Sequence, residues 1–157
     1  MDNFSNAFSK IGKEWMLITA KSGDKVNAMT ASWGGFGVIW GKNVAYIFVR
    51  QSRYTKKLID SSDTLSLSFF DESMKPMLGY MGKASGRNED KIAKAGLTVQ
   101  MVNDIPTFKE AKQNVLCRKL YAGLIAPENF IDQQIDEKWY ADKDYHTMYV
   151  VELLDIV

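Results

Sequence analysis

"NAMTASWGGFG", residues 27–37, sets Asn27, Ala28, Met29, Thr30, Ala31 and Ser32 ahead of Trp33, and then puts three glycines in four positions. An ordinary strand prefers β-branched and aromatic side chains throughout. Here Asn27, Thr30 and Ser32 can hydrogen-bond while Ala28 and Ala31 leave room, so the stretch reads as backbone that another group must approach closely. The preceding "WMLITA" (15–20) reads as a strand and "KSGDK" (21–25) as the turn that ends it. The two form a hairpin, and Gly34 and Gly35 are expected to turn the chain sharply after Trp33. "GGFG" has the spacing of neither a dinucleotide fingerprint nor a P-loop.

Working outward, "NVAYIFVR" (43–50) is apolar on both faces and reads as a central strand. "TLSLSFF" (64–70) alternates Leu65, Leu67 and Phe69 with Thr64, Ser66 and Ser68, which predicts one dry and one polar face. Between them, Ser52 or Arg53 opens a short helix with Leu58 and Ile59 as its apolar contacts. Residues 71–82 read as a second helix capped by Asp71 or Ser73, with Pro76 early in it. Residues 88–96 read as a third, capped by Asn88 and closed by Gly96. "NVLCRKLYAGLIA" (114–126) is a strand in which Gly123 marks a bend or bulge. Residues 127–140 are a helix and 146–157 a final strand. Strands joined by short helices without regular βαβ alternation predict an antiparallel barrel with helical excursions.

The 157 residues suit one domain, residues 1–157. Twenty basic against nineteen acidic residues leave a net charge of +1, which argues against a nucleic-acid or anionic-membrane partner. The N-terminal residues lack the pattern of a signal peptide, and no apolar run approaches the ~18 residues of a membrane span. One cysteine, Cys117, excludes an internal disulfide, so the expected location is cytoplasmic.

Metal and triad chemistry fail on inventory. His146 is the one histidine and reads as structural beside Tyr145; Cys117 reads as a buried, inert thiol. The informative cluster is "VRQSRYT" (49–55), which brings Arg50, Ser52, Arg53 and Thr55 to a helix start. A phosphate dianion wants charge-assisted donors, hydroxyls and free N–H groups of this kind. Taken alone, the stretch also reads as a solvated basic turn. "ASGRNEDK" (84–91) offers Ser85, Gly86, Asp90 and Lys91, and alone reads as a loop with a solvated helix start.

In this order, "NAMTASWGG" (27–35), "FVRQSRYTKKLI" (48–59) and "GKASGRNEDK" (82–91) resemble the flavin-reductase-like proteins of the FMN-binding split-barrel family, flavoredoxin type. "DYHTMYVVEL" (144–153) resembles that family's closing strand, and the likeness runs from about Trp15 to the end. Asn43 departs from the pattern, standing where the family has proline.

The resemblance implies a mainly β fold, a six-stranded antiparallel Greek-key split barrel with short helices, usually a homodimer with one FMN near each subunit interface. It implies that Asn27, Met29, Thr30, Ala31, Ser32 and Trp33 run along the flavin, with Trp33 covering the ring or sealing the barrel. Arg50, Ser52, Arg53 and Thr55 become the phosphate grip. Ser85, Gly86, Asp90 and Lys91 approach from another side, with Lys91 near the pyrimidine end, where an ammonium raises the midpoint potential. Trp139 is either core or a contribution from the partner subunit. No catalytic side chain and no metal are implied, because hydride and electron chemistry resides at flavin N5.

The implied activity accepts hydride from NADH or NADPH and passes electrons to a second flavin or a small acceptor. The alternatives are an electron carrier with tightly held FMN and a β-barrel module for single-stranded nucleic acid. The near-neutral charge opposes the last.

Overall fold

The computed structural model describes residues 3–157. The elements are α1 (Asn3–Gly12), β1 (Met16–Ser22), β2 (Lys25–Ala31), β3 (Gly34–Ile39), β4 (Lys42–Arg50), α2 (Tyr54–Asp60), β5 (Thr64–Phe69), α3 (Lys75–Lys83), α4 (Lys91–Lys94), β6 (Val99–Val102), β7 (Ile105–Phe108), β8 (Gln113–Leu124), α5 (Gln133–Trp139) and β9 (His146–Ile156). Short 3₁₀ turns at Glu72–Met74 and Pro127–Asn129 precede α3 and α5.

Seven strands form one antiparallel sheet in the order β2-β1-β5-β8-β9-β4-β3, and β6 pairs with β7 alone. The two edge strands, β2 and β3, are consecutive in the chain and joined only by Ser32 and Trp33. Three peptide links reach at most about 11 Å, so the edges must come together there. The sheet therefore curls into a barrel split at Ser32–Trp33. The mainly β split barrel is the expected architecture, with seven strands in the main sheet where six were expected.

The split answers the glycine question differently from the expected turn. Gly34 and Gly35 begin strand β3, pairing with Ile47 and Tyr46. Gly34 has φ +148°, and a Cβ on it would lie 2.6 Å from the backbone oxygen of Tyr46. Glycine is needed here so that the new edge can start directly against β4.

Alternate residues of the strands, among them Met16, Ile18, Ile47, Val49, Leu65, Leu67, Phe69, Cys117 and Val151, fill the barrel interior, with Leu58 and Ile59 of α2 packed among them. The opposite face of β1 and β2 is also dry: Leu17 and Ala28 pack with Leu78 and Met81 of α3, Ile92 of α4 and Phe108 of β7. Each large apolar side chain buried in this way contributes about 1.5–3 kcal/mol.

Several expected elements are corrected. The polar face of β5 is buried, because β7 and Asn114 cover it: Ser66 Oγ donates to Pro106 O (2.5 Å) and Ser68 Oγ to Asn114 Oδ1 (2.7 Å). The β6–β7 hairpin escapes a strand reading that avoids proline. Its turn residues Asn103 and Asp104 both have positive φ, the signature of a tight two-residue hairpin. α1 was not expected. Asp90, not Asn88, caps α4, accepting from Ala93 N at 3.1 Å. The helix expected over 127–140 forms only at 133–139, capped by Asp132. The irregularities of β8 fall at Leu116/Cys117 and Lys119/Tyr121 rather than at Gly123.

Candidate functional site

Where β2 runs into the split, a cleft of about 230 Å³ opens, lined by Met29, Thr30, Ala31, Ser32, Trp33, Phe48, Arg50, Arg53 and His146. A second cleft of about 210 Å³ is lined by Asn27, Ser52, Arg53, Tyr54, Thr55, Lys91, Lys83 at the end of α3 and the 84–87 loop that follows it. Arg53 borders both.

The floor of the second cleft is a buried polar joint. Asn27 Nδ2 donates to Thr55 Oγ1 at 2.9 Å, tying β2 to α2. Gly86 lies directly on Asn27: a Cβ there would stand 2.3 Å from Asn27 Oδ1. No larger residue lets the loop sit so close.

Four cations line this cleft, Lys83, Arg53, Arg87 and Lys91. Arg53 Nη1 donates to Gly82 O (2.9 Å), while its Nη2 is buried with no hydrogen-bond partner. Burial pulls the guanidinium below its ordinary pKa, partly opposed by Asp144. Lys91, 2% exposed, donates to Met81 O (3.0 Å) and Ala84 O (3.1 Å). Burial, and secondarily the charge of Arg53, push its ammonium down to about 8. Among the described residues no carboxylate forms an ion pair with either. Arg87 donates to Ser52 O (2.9 Å) and lies 5.3 Å from the Tyr54 ring centre. Positive charge gathered around a cleft, with Lys91 buried, Arg53 half-buried and Arg87 exposed, favours an anionic ligand.

The four residues of the expected phosphate grip part company. Arg53 and Thr55 line the cationic cleft. Arg50 reaches instead toward the segment before β9, donating to Asp144 O (2.8 Å) and Trp139 O (3.2 Å). Ser52 lines the second cleft, but its N–H and hydroxyl both donate to the Asp144 carboxylate, at 3.0 and 2.5 Å. α2 has only seven residues and no side-chain cap. The positive charge lining the second cleft is carried by the side chains of Lys83, Arg53, Arg87 and Lys91.

Thr30 lines the first cleft, but its hydroxyl donates to Leu78 O (2.5 Å), fixing β2 against α3. Met29 and Ala31 are mostly buried and border the cleft, with Ser32 beside them. Ser85 and Gly86 line the second cleft together with Lys91, which thus shares a cavity with Arg53 rather than approaching from a separate side. Asp90 caps α4 and lines a neighbouring groove.

Trp33 packs edge-on against Trp139 of the same chain (5.1 Å) and tilts over His146 (5.3 Å). Sequence reasoning assigned no role to Phe48, Tyr54 and Arg87 and read His146 as structural, whereas it lines the first cleft. His146 sits in the cleft because the β4–β9 register pairs it with Arg50, a pairing that could be read only once the two strands were known to be neighbours. Its ring is held neutral, its pKa lowered to about 4 by burial first and by Arg50 second. Cys117 is buried, its thiol pushed up to about 12. Among the described residues no group of three or more His, Cys, Asp or Glu could hold a metal, and no helix is long and apolar enough to cross a membrane.

A family model described as a flavin reductase like domain matches residues 8–156. Flavoredoxin from Methanosarcina acetivorans superposes with TM-score 0.72 at 21% identity, over 92% of this chain and 67% of its own. An FMN-binding protein from Thermus thermophilus does so with 0.69 at 17%, over 91% and 68%. The styrene monooxygenase flavin reductase from Pseudomonas putida S12 gives 0.65 at 12%, over 92% and 79%. At these identities the superpositions speak for the fold. No curated protein matches the chain.

Proposed function

The chain belongs to the flavin reductase like domain family, and on that premise we propose that it binds FMN and works as an oxidoreductase. The single observation that carries the reading is the buried Arg53 Nη2 without a partner, beside a Lys91 ammonium held by carbonyls and ion-paired to no carboxylate among the described residues. A buried donor left unmade costs about 1–3 kcal/mol, and an anionic cofactor group would remove that cost. FMN fits the donor set, being an anionic phosphate joined to a flat, partly apolar ring.

In this reading Arg53, Lys91, Arg87 and Ser85 hold the phosphate. Asn27 and Thr55 brace the cleft floor, and Gly86 leaves the backbone room that a side chain would fill. The β2 residues Met29, Thr30, Ala31 and Ser32 present backbone to the ring, and Trp33, Phe48 and His146 close the first cleft around it. Arg50 and Ser52 hold the 139–144 segment beside that cleft rather than the phosphate. Asp90 orients α4 and so fixes Lys91.

Bound FMN would supply two-electron chemistry at N5, for which NADH or NADPH would be the hydride donor and a second flavin or a small acceptor the destination of the electrons. The chain's residues then bind, orient and exclude water, and none of them need be an acid or base. Self-association as a homodimer belongs to the same reading; the exposed Phe36, Val38 and Trp40 of the β3 hairpin support an apolar contact surface.

The test is an absorption spectrum of protein mixed with FMN and freed of excess, followed by rapid mixing with NADH and with NADPH. Retained flavin bands and rapid bleaching are expected. Protein that takes up no FMN overturns the reading. Retained FMN that neither nucleotide bleaches, but a redox protein reduces, makes the chain an electron carrier.

A further inference from the structure

α5 and the segment that follows it are tied to the first cleft at several points. Arg50 donates to the carbonyls of Trp139 and Asp144, Ser52 holds the Asp144 carboxylate, and Trp139 meets Trp33. At the C-terminal end of α5, Tyr140 is buried, its ring stacked on Tyr145 (4.9 Å, 28° between planes). Its hydroxyl lies 2.7 Å from His146 Nδ1.

The direction of that hydrogen bond follows from inventory. A buried tyrosine O–H needs an acceptor, and among the described residues His146 Nδ1 is the one partner the Tyr140 hydroxyl has. If Nδ1 carried the ring proton, the hydroxyl hydrogen would have nowhere to go. The hydroxyl donates, Nδ1 accepts, and the neutral imidazole carries its proton on Nε2. Nε2 makes no hydrogen bond among the described residues, yet it is not one of the polar atoms sealed from solvent. The ring itself lines the first cleft.

We propose that Tyr140 is a positioning residue that holds His146 as the Nε2–H tautomer, so that the cleft presents a neutral N–H donor to an acceptor atom of the molecule bound there. The tautomer stands independently; the donor role rests on the function proposed above. The charged groups acting on the ring are Arg50 from β4 and Asp144 from the segment ahead of β9, with Asp142 3.8 Å from Arg50. Trp33 and Phe48 bring no charge. Burial and Arg50 oppose protonation, so the donor keeps its neutral form at neutral pH.

His146 is the one histidine of the chain, so ¹⁵N-labelled protein gives a single pair of imidazole resonances. Long-range ¹H–¹⁵N correlation spectra of the wild type and of Tyr140→Phe decide the matter. The expected result is a pure Nε2–H pattern in the wild type. In Tyr140→Phe, which keeps the stacked ring, the two tautomers should mix and the titration midpoint should move up. A merely structural tyrosine would change stability and leave the tautomer alone. An Nδ1–H wild type overturns the proposal whatever the variant does, and so does an unchanged tautomer in folded Tyr140→Phe. Adding FMN, and then NAD⁺ as an unreactive nicotinamide, should shift the Nε2 resonance at one step. A loaded protein in which neither moves it overturns the donor role. Failure to take up FMN overturns the proposed function and leaves the tautomer result standing.

Discussion

Arg53 and Lys91 converge on one short stretch of backbone: Arg53 donates to Gly82 O at 2.9 Å, and Lys91 to Met81 O and Ala84 O at 3.0 and 3.1 Å. Two like charges are thereby held around the end of α3 by backbone carbonyls, with no carboxylate ion-paired to either among the described residues and with Arg53 Nη2 still lacking a partner. Charge-assisted hydrogen bonds contribute about 1.5–3 kcal/mol each. Arg53→Ala and Lys91→Met should therefore each weaken FMN binding by roughly 10- to 100-fold. Quenching of FMN fluorescence on titration reads this directly, and wild-type affinity in either variant would remove that residue from the receptor.

Lys91 also makes a stability prediction for the protein without cofactor. Its pKa is lowered from 10.5 to about 8 by burial. Between those values the unfolded chain binds more protons than the folded one, so stability rises with pH across this window. Below about 8 both states hold the proton and the penalty is complete. Urea unfolding followed from neutral to alkaline pH should show the rise in the wild type and lose it in Lys91→Met. Parallel curves for the two proteins would contradict the burial of a charged ammonium.

Gly86 and Gly79 offer an opposed pair. A Cβ on Gly86 meets Asn27 Oδ1 at 2.3 Å, whereas one on Gly79, inside α3, meets nothing within 4 Å. Gly86→Ala should cost about 1–3 kcal/mol by forcing the loop off Asn27. Gly79→Ala should stabilise by about 0.5–1 kcal/mol through helix propensity. Denaturant midpoints of the two variants moving in the same direction would refute this account.

His146 gives the acid counterpart. Its pKa is lowered from 6.5 to about 4, so the unfolded chain again binds the extra proton between these values. The contribution is fully present above 6.5 and lost as pH falls toward 4, amounting to at most about 3 kcal/mol. The difference in unfolding free energy between wild type and His146→Gln, followed by urea titration, should shrink on acidification through this range. A constant difference would mean the ring is solvated.

What the sequence determined by itself was six of the strands, β1, β2, β4, β5, β8 and β9, but not β3, together with the small, polar make-up of residues 27–33 and the polar segments that end up around the clefts. Those are local properties: alternation, turn chemistry and side-chain size act between near neighbours in the chain. The β6–β7 hairpin and the buried polar face of β5 escaped because a proline in one strand, and a cover formed by another, hide the local signal. Only the tertiary structure decided which polar groups remain available to a ligand. Thr30, Ser52 and Arg50 are taken up by Leu78, Asp144 and Trp139, while Arg53 Nη2 is left without a partner and His146 is carried into the cleft by its pairing with Arg50. Hydrogen bonding is a competition among partners, and here the winning partners lie 48 to 94 residues away in the chain, beyond the reach of any pattern read along the sequence.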